Sequence, residues 1–561
     1  MKKVKKLMAL VIALAMVLGM MGMTVLADEE SGTPAQSTPA SKTITIKGLA
    51  EGDVVKYYKV IKWTDSGWEF EEPFASALTP DEKKEITGYA ENGSVVLGKI
   101  TDNTATKMGV ASAQATAIVT VGDTVDDSAE WSKSNQDPGL YMALITSGTQ
   151  MAVYNPVFVA VQADNAGGEV VIPLSYADSG TAKKSDITVD KKAKDHDDQT
   201  AEWAEATTQD VGDIIDFKVD VTVPAYLENW TNPVFTVTDT ITSGLTLAVK
   251  DGEGDAALTD ITVKAGNVAL LNETDYTVLK SATGYTITFT GAYLKGRTAA
   301  TSVTIEYQAK ITAEAKNVNP ETNTVKIEYS RNPGDASDHG TKEDKTTHYT
   351  FSIDAGLFGN ETYETSELVK VGVDAAGNPV NEEKTYSNTT KHHPLEGAEF
   401  KLYTDEGCTT PYINSKITAD TVFTSSDTGK LNITGLDEGT YYLKETKAAT
   451  GFMLLTNAVK FEIEAKYKPV AATETCNAYK ELDYYTVKVN GTEVTSTYTM
   501  DNGTIKIENE VAGDNTYEIK NTQGTSLPST GGIGTTIFYV VGAILVIGAG
   551  VVLVTKRRMN Q

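Results

Sequence analysis

Apolar and polar residues alternate with a period of two in segment after segment of this chain. Thr43-Ile44-Thr45-Ile46, Phe235-Thr236-Val237-Thr238, Tyr285-Thr286-Ile287-Thr288-Phe289 and Val303-Thr304-Ile305-Glu306-Tyr307 all show it. Successive side chains of a strand point to opposite faces, so this is the pattern of strands with one face in a core. Abundant threonine and tyrosine fit the same pleated surface. Helical signals are short: Thr79-Pro80-Asp81-Glu82 reads as a capped helix start with proline in the first turn. Many short strands set off by Gly and Asn turns predict an all-β chain of tandem sandwiches. The length suits about three domains, which we expect at 43–178, 184–345 and 346–525. No solenoid-type repeat of fixed length is evident.

Both ends read as addresses. Lys2, Lys3, Lys5 and Lys6 precede an apolar run from Leu7 to Leu26, and Val25-Leu26-Ala27 supplies the small residues a signal peptidase needs. The expected signal peptide is 1–27, followed by a Ser-, Thr-, Pro- and Gly-rich leader over 28–42. Near the other end, an apolar stretch at 533–555 is long enough to span a bilayer as a helix. The basic tail at 556–561, with Lys556, Arg557 and Arg558, would hold that end on the cytoplasmic side. Just before the stretch stand Leu527, Pro528, Ser529, Thr530 and Gly531. This string resembles the sorting signal that sortases of Gram-positive bacteria cut, here between Thr530 and Gly531.

Composition narrows what lies between. A formal net charge of -27 leaves no basic footprint for nucleic acid. Two cysteines in 561 residues exclude a disulfide-stapled scaffold, and export leaves a single bridge between Cys408 and Cys476 open. Asp195-His196-Asp197-Asp198 lacks calcium-loop spacing and His392-His393 lacks a matching ligand cluster, so neither is read as a metal site. No Ser-His-Asp or Cys-His arrangement stands out, and nothing calls for a cofactor.

The third expected domain holds the clearest constellation. Tyr441, Leu443 and Glu445 alternate, which directs the Glu445 carboxyl into the core beside an aromatic and a leucine. Tyr517, Ile519 and Asn521 likewise put an amide inside. Lys370 is less regular, since Leu368 shares its face while Val369, Val371 and Val373 take the other. Tyr441-Tyr442-Leu443-Lys444-Glu445-Thr446, followed by Ala448, Gly451 and Phe452, resembles the E-box of Cna-B type domains in Gram-positive pilins. Pro394 to Leu402 resembles the strand such domains carry after their first. The match departs at Ala449 and Phe452, where the family usually has Pro and Tyr. The resemblance implies an intramolecular isopeptide bond: a neutral, desolvated Lys370 amine attacks the Asn521 side-chain carbonyl, Glu445 polarises it and relays protons, and ammonia leaves. Desolvation favours the neutral forms of both amine and acid.

The middle domain repeats this logic. Ile187, Val189 and Lys191 alternate on one strand, Phe235, Val237 and Asp239 on another, and Asn323, Val325, Ile327 and Tyr329 on a third. The strings around them resemble the isopeptide-forming second domain of fimbrial major subunits, where an Asp takes the part of the Glu. The implied crosslink joins Lys191 to Asn323 with Asp239 as catalyst. Lys192 is the rival lysine, and Lys191 is preferred because it shares the side of Ile187 and Val189.

Together these parts resemble an LPXTG-anchored backbone pilin built from immunoglobulin-like CnaA/CnaB-type sandwiches. The resemblance implies a class C polymerising sortase, a housekeeping anchoring sortase, identical subunits, minor pilins and peptidoglycan as partners, with no catalysis beyond self-modification. It also implies an acceptor lysine in a Tyr-Pro-Lys-Asn motif, and this chain lacks that motif. Leu174-Ser175-Tyr176-Ala177-Asp178 stands in its place, so Lys183 and Lys184 are the nominated acceptors. A monomeric wall-anchored adhesin is the alternative that the missing motif supports.

Overall fold

A computed structural model describes residues 43–524, apart from short internal stretches of which 89–97, 164–173, 248–259 and 507–515 are the longest, together with the helix Ile533–Met559. The expected signal peptide and leader lie outside the described residues, as does the Leu527 to Gly531 motif.

Strands dominate, as the alternation predicts, and they pack as three sandwiches in a row. In the first, Ile44–Lys47 lies between Glu130–Lys133 and Ser179–Thr181. The facing sheet runs Lys184–Asp186, Ala152–Tyr154, Gly139–Thr146, Val54–Thr64 and Gly67–Phe70. Leu140 to Ile145 is an unbroken buried run because this sheet is covered on both faces. One face meets Ile44, Ile46 and Trp131, and the other meets Phe74, Ile86 and Met108 from helical segments. The helix Pro80–Thr87 begins where expected, with Thr79 and Glu82 forming a reciprocal capping box. The strand Lys184–Asp186 still pairs with this first sandwich, and the Ile187 N–H still bonds the Met151 carbonyl at 2.8 Å, so the chain leaves it only after Ile187.

The second sandwich sets two six-stranded sheets face to face. One carries Val189–Asp195, Ile214–Val223 and Thr301–Ile311; the other carries Asp335–Tyr349, Glu321–Asn332, Phe235–Ile241 and Gly284–Phe289. Burial along Phe235–Ile241 alternates strictly, with Phe235, Val237, Asp239 and Ile241 inside. Phe217, Val219, Val237, Ile287 and Val325 fill the space between the sheets.

The third sandwich is built on the sheet Phe423–Thr424, Glu399–Tyr403, Gly439–Lys447, Val459–Val470, Tyr479–Val489 and Thr492–Glu493. Its first and last long strands, Leu368–Val373 and Tyr517–Thr522, pair in parallel, with Lys370 opposite Ile519 and Gly372 opposite Asn521. Every residue of Leu368–Val373 is buried. A strand covered on both sides carries no polar face, which is why the alternation around Lys370 is unclear in the sequence. A Cβ on Gly372 would lie 2.7 Å from the Phe452 ring, so this strand approaches the E-box loop more closely than any larger residue allows.

The helix Ile533–Met559 includes an apolar span, Phe538–Met559, of 22 residues with none of it buried against the sandwiches. At about 1.5 Å per residue such a span matches the hydrocarbon thickness of a bilayer.

Candidate self-crosslinking sites

Two buried clusters answer to the residues singled out above. In the third sandwich the side chains of Lys370 and Glu445 are both fully enclosed. The Lys370 Nζ lies 2.5 Å from Asn521 Oδ1 and 2.9 Å from the Ile519 carbonyl, and 3.6 Å from Glu445 Oε1. Asn521 Nδ2 donates to the same Glu445 Oε1 at 2.7 Å, while Glu445 Oε2 accepts from the Leu455 backbone at 2.7 Å. The amine thus meets the carbonyl end of the amide, and the carboxyl meets its nitrogen. The Phe400 ring lies 5.9 Å from Nζ and keeps water away. Burial lowers the Lys370 pKa to about 8, with Glu445 opposing the shift, so the neutral amine is within reach near physiological pH.

In the second sandwich the two sheets supply different members of the cluster. Asp239 and Asn323 come from neighbouring strands of one sheet, since Asp239 pairs with Val325 and Ile241 with Asn323. Lys191 reaches them from the opposite sheet, where it pairs with Val219. Its amine bonds Asp239 Oδ2, and both side chains are sealed from solvent. Burial pushes the Lys191 amine down and the Asp239 carboxyl up, each opposed by the other's charge. Both shifts favour the neutral forms. Lys192 lies outside the core and pairs with Glu205 at 2.7 Å, so the structure brings Lys191 and not its rival into the buried cluster with Asp239.

Residues not singled out from the sequence complete the second cluster. The Tyr307 hydroxyl lies 2.5 Å from Lys191 Nζ, donates to Asp239 Oδ2 at 2.7 Å and accepts from Asn323 Nδ2 at 2.8 Å. Its ring stacks on Phe217 at 5.2 Å. A sign of it was present in the sequence: Val303, Ile305 and Tyr307 share a core face, and a buried phenol needs a polar partner. Asp344 accepts the Lys191 backbone N–H at 2.7 Å, and His348 is fully buried, with Thr207 and Thr346 hydroxyls against its two nitrogens. Burial, then the charge of Lys191, lowers the His348 pKa to about 3, so it stays neutral.

The remaining nominated residues are placed as follows. Lys183 and Lys184 are exposed at the end of the first sandwich, and Lys184 Nζ lies 3.1 Å from Asp186. Cys408 and Cys476 do not form the bridge that the sequence leaves open, and both thiols are free. Cys408 sits in the turn after Glu399–Tyr403, beside Tyr442 and Lys444, whereas the Cys476 backbone bridges Glu343 of the second sandwich.

Comparison with known proteins agrees with this architecture. Residues 211–333 match the model of the Gram-positive pilin backbone subunit 2, Cna-B-like domain. Residues 380–477 match that of the SpaA prealbumin-like fold domain, and residues 519–560 that of the LPXTG cell wall anchor motif. The chain is 26% identical over 465 residues to the trypsin-resistant surface T6 protein of Streptococcus pyogenes serotype M6, covering 75% of this chain and 79% of that one. Among solved structures it is similar to the T6 backbone pilin of serotype M6 Streptococcus pyogenes, at 18% identity and a TM-score of 0.55 over 88% of this chain and all of that one. The major pilin SpaD of Corynebacterium diphtheriae aligns over 86% of this chain and 98% of its own, at 16% identity and a TM-score of 0.47. A backbone-pilin domain, a prealbumin-like domain and a cell-wall anchor are thus matched in series along the chain, which is similar in sequence and in fold to LPXTG-anchored backbone pilins of Gram-positive bacteria.

Proposed function

We propose that this chain is the structural shaft subunit of a covalently polymerised surface pilus, hardened by two intramolecular isopeptide bonds. A class C sortase cuts between Thr530 and Gly531, holds the chain as a thioester and passes Thr530 to Lys183 or Lys184 of the next subunit; a housekeeping sortase joins the finished polymer to peptidoglycan. Within each subunit Lys191 joins Asn323 with Asp239 as catalyst, and Lys370 joins Asn521 with Glu445. The observation that carries the crosslink reading is the pairing of a buried lysine with a buried amide and a buried acid in two successive sandwiches. A lysine isolated in a core is costly, and a Lys370 amine in contact with an amide carbonyl has a chemical use for its enclosure.

Intact mass tests it. The mature chain should be lighter than its sequence by two ammonia molecules, and Asp239→Ala and Glu445→Ala should each restore one. A wild-type mass equal to the calculated value overturns the crosslinks. The absent Tyr-Pro-Lys-Asn motif favours a second reading, a wall-anchored adhesin that is not polymerised. Sequencing the branched peptides of wall extracts separates the two: Thr530 joined to Lys183 or Lys184 supports the shaft, Thr530 joined to another pilin lysine moves the acceptor, and Thr530 found only on peptidoglycan supports the adhesin.

A further inference from the structure

We infer that Tyr307 is a catalytic residue of the second sandwich, a proton relay between Asp239 and the amide of Asn323. The inference rests on the reading that Lys191 and Asn323 crosslink. It comes from a difference between the two clusters. In the third sandwich the carboxyl itself touches the leaving nitrogen, with Glu445 Oε1 2.7 Å from Asn521 Nδ2, and the neighbouring ring over the lysine is Phe400, which has no hydroxyl. In the second, Asn323 lies beside the Asp239 carboxyl as well, but its Nδ2 donates to Tyr307 at 2.8 Å, and the same phenol oxygen contacts Asp239 Oδ2 at 2.7 Å and Lys191 Nζ at 2.5 Å. Tyr307 therefore touches the nucleophile, the acid and the leaving group at once. It is 2% exposed, and its ring is held between Phe217 and Tyr285 at 5.2 and 4.9 Å, so the hydroxyl has little freedom to point elsewhere.

The step balances as follows. Neutral Lys191 Nζ attacks Asn323 Cγ, and the Cγ–Nζ bond forms. With Cγ tetrahedral, Nδ2 is released from amide resonance and gains a lone pair that faces Tyr307. The Tyr307 hydroxyl gives its proton to Nδ2 and recovers one from the Asp239 carboxyl, which takes one in turn from the attacking amine. The Cγ–Nδ2 bond then breaks and ammonia leaves. Nζ has lost one hydrogen, Nδ2 has gained one, and Tyr307 and Asp239 end as they began. Burial of the phenol, with Asp239 adjacent, holds Tyr307 in the protonated form a relay needs.

The test is the rate at which the Lys191–Asn323 branch appears. The full chain is made by cell-free synthesis in detergent, quenched with acid at intervals and digested, and branched peptides are measured against unbranched ones. A positioned acid–base group contributes roughly 10²–10⁴-fold, so Tyr307→Phe should slow this branch by at least about a hundredfold while the Lys370–Asn521 branch of the same molecules forms at the wild-type rate. A wild-type rate for both branches in Tyr307→Phe overturns the relay. Absence of the Lys191–Asn323 branch from wild type instead overturns the crosslink on which the relay rests. Should Tyr307→Phe fail to fold, as judged by the melting of its second sandwich, a fluorinated tyrosine installed at 307 keeps the ring's shape and alters the phenol's acidity. The branch rate and its pH profile should then shift, and an unchanged rate and profile overturns the inference.

Discussion

A lysine with no exposed surface needs a partner, and the two lysines at the candidate crosslinking sites have different ones. Lys191 is paired with a carboxyl and a phenol, whereas Lys370 is set against an amide carbonyl and a backbone carbonyl. Removing one member of such a cluster strands the rest: a buried polar group left without its partner costs about 1–3 kcal/mol. Lys191→Ala should therefore destabilise the second sandwich by more than the lost crosslink accounts for, and Lys191→Met with Asp239→Leu should recover part of the loss in urea unfolding. Equal midpoints for the single and double variants would contradict the stranded Asp239 carboxyl as the cause. At this scale the sequence was legible for Lys191, Asp239, Asn323, Glu445 and Asn521, each in line with apolar neighbours on its own strand. Alternation was silent on Tyr307, because a core tyrosine on a strand is ordinary until the structure brings its hydroxyl to three other groups.

Among the elements, the parallel pair Leu368–Val373 and Tyr517–Thr522 joins strands far apart in the chain: Lys370 and Asn521 are 151 residues apart. A covalent link across that separation removes unfolded-state entropy worth about 5 kcal/mol by analogy with long disulfide loops. Asn521→Ala should lower the unfolding free energy of the third sandwich by about that much and expose the last strand to trypsin at Lys520, where wild type is expected to resist. Unchanged resistance would argue that the pair is held by hydrogen bonding alone. The same pair shows where strand patterning loses power. Along Gly439–Lys447 alternation survives because one face is solvated, but Leu368–Val373 is covered on both sides and reads as a plain apolar run around one lysine.

Over the whole molecule, the second and third sandwiches share a wide, hydrogen-bonded junction. The segment 473–477 adds to the edge of Asp335–Tyr349 through Glu343 N–H to Thr475 at 2.7 Å and Asn477 N–H to Glu343 at 2.9 Å. On the other side Val211 N–H meets the Gly435 carbonyl at 3.1 Å, and Asp210 receives the Asp437 N–H at 2.7 Å and the Tyr412 hydroxyl. Carboxylates of Asp195, Asp213 and Asp437 come within 4.8 Å of one another there. Burial first, and the charge of Asp210 second, push the Asp213 carboxyl up to about 7. A folded-state value above the unfolded one of about 3.9 means that protons favour the folded junction: this contribution is complete below about pH 4 and is lost as pH rises through about 7. Wild type should therefore lose more stability between pH 5 and pH 8 than Asp213→Asn, measured as urea midpoints. A pH dependence unchanged by the substitution would place its source elsewhere.

Period-two alternation, a Thr- and Tyr-rich composition and the terminal apolar segment determined that the chain is a row of β-sandwiches ahead of a membrane-length helix, because strand faces and span lengths are local properties of consecutive residues. The motif before that helix, together with the E-box residues, carried the family. Tertiary structure alone decided that Lys191 crosses between sheets to Asp239, that Tyr307 joins their amide, that Cys408 and Cys476 stay apart, and that acids from two sandwiches crowd one junction. Each of these depends on which strands become neighbours, and strand order is set by packing between segments distant in sequence, a choice that no local pattern of side chains records.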